Sequence, residues 1–401
     1  MARAATGVLV SPQEALAVAR DLVPRFAARA AEHDEAGRFP AADFDDLRGA
    51  GLLGLMVPTR LGGAGAGFGD YAEVAAALAA GAGATALIFN MHASVTGALA
   101  HTPDEVVRAF GVPETFFTER DRVLSDVAEG MLCGVAMSER GAGSRLSAMT
   151  TSYTPVGDGF RITGSKAFVS GAGHVDTYLV AARSAAAPAD SPVVSHFLVP
   201  AGEGVVVEPT WDSLGMRATG SQDVHFDVTV PASALLGGVE GLALLLAQVM
   251  PQWLVASYAA VYVGVAQSAV DAAVAHLRER GLTALPAIRA RVGRADAAVA
   301  AARGVVEQAA KRVDTAPGRP ETNRWVWRAK LLAGDTAAQV AGSMLEAAGT
   351  SASRRGHPLE RLYRDARCGA LQPATSDVCA DYLGAAALGD DPHGDTAVPR
   401  W

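Results

Sequence analysis

The periodicity of this chain changes character twice, and the order of those changes restricts its fold more than any single motif. From Pro12 to about Arg120, apolar residues recur at helical spacing, as in EALAVARDLVPRFAARAAEHDE and AADFDDLRGAGLLGLM. Near Leu132 the pattern becomes short strands and turns and stays so to about Leu236. MLCGVAMSE, MTTSYTPVGDGFRIT, GSKAFVSG, TYLVAARS, SHFLVPA, GVVVEP and DVHFDVTV are rich in Val, Thr, Phe and Tyr, with Gly, Asp and Pro between them. After Gly238 helical spacing returns in four segments, 240–280, 285–315, 320–348 and 373–388. The order predicts an α+β protein: an N-terminal helical domain (1–130), a middle β-barrel or sandwich (131–237) and a C-terminal four-helix bundle (238–401).

Composition narrows the function. A length of 401 residues exceeds one ordinary core. The net charge of −8 is spread with both signs interspersed, and no basic block offers a nucleic-acid surface. Cys133, Cys368 and Cys379 form no CxxC pair, which argues against a disulfide framework, offers no metal motif and fits a reducing cytoplasm. The N-terminal stretch MARAATGVLVSPQEALAVARDLVPRF acquires charges at helical spacing rather than forming a signal core. Two uncharged runs, 74–101 and 241–270, need weighing, and the second is long enough to span a bilayer. Its Gln248, Pro251, Gln252 and Gln267 favour a buried bundle helix instead. The glycine-rich TRLGGAGAGFGDY follows no strand and lacks the GxGxxG order, so it is not a dinucleotide fingerprint.

Four motifs carry chemistry. Ser138-Glu139-Arg140-Gly141-Ala142-Gly143-Ser144 forms a small-residue turn. About thirty residues later comes Phe168-Val169-Ser170, then SLGMRATGSQDVHFDVTVPASALLG, then HPLERLYRDAR. In this order and spacing they resemble the acyl-CoA dehydrogenase family, over nearly the whole chain. The residue types suit a flavin. Its redox-active edge needs donors, which Ser170 can supply from its hydroxyl and backbone N–H. Phe168 can lie against the ring system, and Gly141, Ala142 and Gly143 allow close backbone approach. The resemblance implies FAD held by Val135, Ser138, Phe168, Val169, Ser170, Arg280, Gly349 and Thr375, with Ser144 touching substrate. It also implies an acyl thioester substrate on coenzyme A or a carrier protein, an electron-accepting protein or reductase, and a dimer or tetramer of identical chains. Arg364 and Asp365 are expected to pair with each other and fix the bundle end, beside Arg361.

The chain departs from that family at the catalytic base. Dehydrogenation needs a carboxylate to take the proton α to the thioester carbonyl. Where many members have Tyr-Glu-Gly-Thr, this chain reads Gln372-Pro373-Ala374-Thr375, and the alternative position on the first bundle helix holds Leu254. The loop after Arg280 is shortened and lacks Phe-Gly, and the Gln-x-x-Gly-Gly turn is reduced to Leu345-Glu346-Ala347-Ala348-Gly349. Three readings follow. Dehydrogenation could use another base, such as Glu346, Asp377, Tyr258 or the substrate's own carboxylate. A flavin monooxygenase of the same fold would need no such base, and His92 of FNMHASV would then lie near the flavin. The third reading is a catalytically silent flavin- or acyl-binding relative.

Overall fold

The computed structural model describes residues 11–393. Residues 1–10 and 394–401, and with them part of the N-terminal apolar patch and of the polar tail, lie outside the described residues.

The N-terminal part comprises α1 (Pro12–Ala36), α2 (Ala41–Gly49), α3 (Phe68–Gly81), α4 (Gly83–His101), α5 (Asp104–Ala109) and α6 (Thr115–Ala128). Ser11 caps α1 by accepting the Glu14 N–H at 3.2 Å, and Gly37 ends that helix at φ 60°. Helix α4 is buried along almost its whole length, which explains its lack of charge.

Seven strands form one mixed sheet: β1 (Cys133–Ala136), β2 (Ser152–Val156), β3 (Gly159–Val169), β4 (Thr177–Ser184), β5 (Val194–Pro200), β6 (Val205–Glu208) and β7 (Gln222–Pro231). The strand order is β1-β4-β2-β3-β7-β6, with β5 on β4. Strand β4 runs parallel to β1 and to β2, while the β2–β3, β3–β7, β6–β7 and β4–β5 ladders are antiparallel.

The C-terminal part holds α7 (Leu242–Val249), α8 (Ser257–Glu279), α9 (Pro286–Thr315), α10 (Pro320–Ala348), α11 (Pro358–Arg367) and α12 (Ser376–Leu388). Two expectations need correcting. The single helix predicted over 240–280 is broken by a 3-10 turn at Pro251–Trp253, because a proline lacks the N–H that would continue the helix. The turn seats Trp253 against α4, where a Cβ on Gly97 would come within 2.3 Å of the indole. The RDAR motif also forms a helix of its own, α11. The stretch Pro251–Glu279 is long and apolar enough to cross a membrane, yet 78% of its most apolar window is buried inside the fold, as a bundle-core helix requires.

An ion pair and hydrogen bonds around Arg364 and Asp365 join the three parts. Arg364 does not pair with Asp365, because adjacent helical residues point in different directions. Its guanidinium instead grips Asp34 of α1 (3.1 and 2.5 Å) and Glu360 (2.6 and 3.0 Å). Asp365 accepts the Met216 N–H at 2.6 Å, just before β7, and stands 3.9 Å from Arg361. Burial pushes Asp365 up to about 6, against the pull of Arg361. Breaking a buried pair of this kind costs about 3–5 kcal/mol.

Candidate functional site

The turn at 138–144 and the end of β3 are built as one unit. Glu139 and Gly143 exchange backbone hydrogen bonds (2.9 and 2.8 Å). Beneath them, Lys166 is fully buried and donates to Glu139 at 2.9 Å and to the Met137 carbonyl at 3.1 Å. Glu139 also accepts the Thr150 N–H and hydroxyl, both at 2.7 Å, and the Thr151 N–H at 2.9 Å. Burial alone would raise its carboxyl pKa; Lys166 and Thr150 outweigh that and hold it below the usual carboxylate range.

This frame places the motif residues side by side. The Ala167 N–H donates to the Ser138 carbonyl at 2.8 Å. The β3–β7 register then shifts between Lys166 and Val169, and Phe168 sits in the bulge at φ 60°. A bulky residue in that conformation costs about 1–3 kcal/mol. The ring is turned outward: Phe168 is 57% exposed and meets the edge of Trp211, at 6.3 Å between centroids. Next to it, Val169 is buried, and the buried Ser170 hydroxyl lies 2.9 Å from that of Ser221. A Cβ added to Gly141 or Gly143 would meet nothing within 4 Å, so the space before the turn is open. An exposed, strained aromatic beside small residues and a hydroxyl fits a flat, polar-edged ring such as a flavin.

The other expected ligand residues are dispersed. Val135 lies half-buried on β1, Ser144 half-buried at the turn, and Thr375 caps α12 by accepting the Val378 N–H at 3.4 Å. Arg280 and Gly349 are exposed where α8 and α10 end, and their N–H groups bond back into their own helices.

The family's base positions offer no proton acceptor. Leu254 lies just after the Pro251 turn, half-buried, and Pro373 precedes α12. Glu346 pairs with Arg291 at 2.6 Å on the surface, and Asp377 is exposed in the first turn of α12. The Tyr258 hydroxyl donates to the Met91 sulfur at 3.7 Å, and burial raises its pKa. His92 is enclosed. Its Nδ1 accepts the Cys133 N–H at 3.0 Å, so Nε2 carries the proton and donates to the Leu53 carbonyl at 2.8 Å. Burial pulls its pKa down to about 4. The carboxylates buried among the described residues are all engaged: Asp34 with Arg364, Asp43 with Arg29 and Thr85, Glu139 with Lys166, Asp223 with Arg140, and Asp365 with the Met216 N–H.

Sequence reasoning missed several polar groups. Tyr71, Asn90, Ser94 and Ser257 form a neutral buried cluster between α3, α4 and the start of α8, with the Tyr71 hydroxyl 2.6 Å from Asn90 and 3.0 Å from the Ser257 carbonyl. Lys330, wholly buried in α10, donates to the Gly369 carbonyl at 3.0 Å and so holds the turn before Pro373. Burial lowers its pKa to about 8. A lone Lys in an alanine-rich helix was its only signal. Among the described residues, no group of three His, Cys, Asp or Glu side chains is placed to hold a metal.

Comparison with known proteins agrees with this layout. Family models for the N-terminal, middle and C-terminal domains of acyl-CoA dehydrogenases match residues 13–114, 134–229 and 256–376. The chain is 30% identical over 380 residues to the putative acyl-CoA dehydrogenase YdbM of Bacillus subtilis, covering 92% of this chain and 94% of the relative. It is 31% identical over 401 residues to the L-evernosamine nitrososynthase of a Micromonospora species, covering 93% and 90%. The FMN-bound crystal structure of TdsC, a dibenzothiophene monooxygenase from a Paenibacillus species, superposes with a TM-score of 0.81 at 27% identity, covering 94% and 97%.

Proposed function

The chain belongs to the acyl-CoA dehydrogenase family of flavin-dependent oxidoreductases, and we propose that it works as an oxygen-using member: a monooxygenase that takes reduced flavin from a separate reductase. One observation carries this reading. Pro373 and Leu254 occupy the base positions, and the carboxylates buried among the described residues are each held by another partner. Removal of a carbon-bound α proton therefore lacks its acceptor, and loss of a general base costs about 10²- to 10⁴-fold in rate. Oxygen transfer to a nitrogen or sulfur lone pair needs no such acceptor. The relatives named as a nitrososynthase and a dibenzothiophene monooxygenase support that class of substrate.

Phe168, Ser138, Val169 and Ser170 would hold the flavin ring. When bound reduced, the flavin supplies the two electrons by which one atom of O₂ enters the substrate while the other leaves as water. The chain's own part is positional. Phe168 backs the ring, and the Glu139–Lys166 pair keeps the 138–144 turn in place. The full-length likeness to YdbM favours a second reading, dehydrogenation of an acyl thioester with an unconventional base.

One experiment separates the two. With a flavin reductase and NADH, amine and thioether substrates should draw oxygen consumption above the uncoupled background, with ¹⁸O from labelled O₂ in the product. Anaerobic bleaching of the bound flavin by acyl thioesters at ordinary dehydrogenase rates would overturn the monooxygenase reading.

A further inference from the structure

Behind the Phe168 bulge, three hydroxyls run in a line into the interior. Ser170 Oγ lies 2.9 Å from Ser221 Oγ, and Ser221 Oγ lies 2.7 Å from Thr219 Oγ1. The Thr219 hydroxyl donates to the Met216 carbonyl at 2.8 Å. All three side chains are buried, Thr219 completely. The line is anchored at both ends, since the Gly171 N–H donates to the Thr219 carbonyl at 2.9 Å and Asp365 holds the Met216 N–H.

Each hydroxyl has one proton to donate. Thr219 gives its proton to Met216, so Ser221 must donate to Thr219 and Ser170 must donate to Ser221. The Ser170 proton therefore points inward, and its lone pairs face outward. With Ser170 donating outward, one of the three internal bonds is lost: its own to Ser221 if it turns alone, or that of Thr219 to Met216 if the whole line reverses.

We propose that Thr219 and Ser221 are positioning residues that set the polarity of Ser170, so that the site favours the reduced flavin over the oxidised one. The inference rests on the flavin site proposed above. A reduced ring edge presents an N–H where the oxidised edge presents only an acceptor. Inward polarity meets that N–H with all three internal bonds kept, while an acceptor is met only by losing one of them. In a buried, low-dielectric line the difference of one hydrogen bond corresponds to about tenfold in relative affinity.

The test measures FMN dissociation constants separately for the oxidised form and for dithionite-reduced FMN under argon, and compares their ratio. Thr219→Val, which removes a hydroxyl bonded to Ser221 and Met216 rather than to Ser170, should lower the oxidised-to-reduced ratio about tenfold. For a two-electron couple this makes the bound midpoint potential about 30 mV more negative. Ser221→Ala should move the ratio the same way and serves if Thr219→Val does not fold. Thr219→Ser keeps the hydroxyl and should keep the wild-type ratio. In a Ser170→Ala background, Thr219→Val should change nothing, because the residue it acts through is gone. Variants that bind flavin with an unchanged ratio overturn the proposal, as does an equal shift with and without Ser170. A wild-type protein that binds neither form of flavin refutes the parent reading as well, and that outcome is distinct from the other two.

Discussion

His92 offers a measurement in which a structural histidine and a catalytic one give opposite results. Both ring nitrogens are bonded to backbone, and burial lowers the pKa from an ordinary 6.5 to about 4. A folded-state pKa below the unfolded value means that the native state binds fewer protons. The stabilisation is fully present above about pH 6.5 and is lost as pH falls toward 4. Integrating between those values, His92 gives up about 2 kcal/mol by pH 5 and about 3 kcal/mol by pH 4. With an unfolding entropy of about 2.1 cal/mol/K per residue, the 401-residue chain gives about 0.8 kcal/mol/K. The melting temperature should then fall by about 2–3 °C between pH 7.5 and pH 5 on account of this group alone. His196, also buried and lowered to about 4, adds a similar amount. The assay is scanning fluorimetry across that range on the wild type and on His92→Asn. Asn can accept the Cys133 N–H but leaves the Leu53 carbonyl unpaired, so the variant should melt lower at pH 7.5, by the about 1–3 kcal/mol of an unmet buried group. Its curve against pH should be shallower by His92's share. Parallel curves would refute the locked-histidine argument. So would a pH–rate profile in which His92→Asn removes an inflection between pH 6 and 7.

Three further outcomes follow from the geometry. Phe168→Ala should weaken flavin binding about two- to tenfold, because a ring face adds about 0.5–1.5 kcal/mol to a planar partner, while lowering the melting temperature by less than about 2 °C, since the ring is 57% exposed; isothermal titration and fluorimetry check the two halves. Lys166→Met leaves Glu139 buried without its cation and should cost about 3–5 kcal/mol, whereas adding Glu139→Gln should recover part of that, as urea unfolding would report. FMN and FAD should bind within about tenfold of each other, because the loop after Arg280 and the turn at Gly349 lack the family's Phe-Gly and Gln side chain; a hundredfold preference for FAD in fluorescence titration would contradict this.

How much of this was legible depends on the kind of signal. The periodicity switches near Leu132 and Gly238 were readable because burial writes its period into sequence, and β1 begins at Cys133. The 138–144 turn and the Phe168-Val169-Ser170 triplet stood out by their residue types and separation, and the structure joins them through the Ala167–Ser138 hydrogen bond. The break at Pro251 was visible as a proline, yet the apolar run on either side masked it. Helix α11 is short and strongly charged, so it was read as a motif rather than as a helix. The partner of Arg364 was not legible at all: Asp34 lies 330 residues away, and no local rule selects it over the adjacent Asp365. The polarity proposed for the Ser170 line was equally hidden, since it depends on one carbonyl, that of Met216, accepting the Thr219 hydroxyl.

The reach of Arg364 to Asp34 also bears on how relatives of this chain can be recombined. Asp314 of α9 makes a similar long connection, accepting the Phe68 and Gly69 N–H groups at the start of α3 (2.7 and 2.9 Å). The three matched segments follow one another along the chain, but they are not interchangeable modules. A chimera that joins the first 130 residues of one relative to the last 160 of another keeps every helix, yet it leaves a buried guanidinium or the first turn of α3 without its counterpart unless both ends carry matching residues. Crossovers that move α1 together with α11, and α3 together with α9, preserve these latches. A library built on sequential domain boundaries should lose most of its soluble members at these two seams.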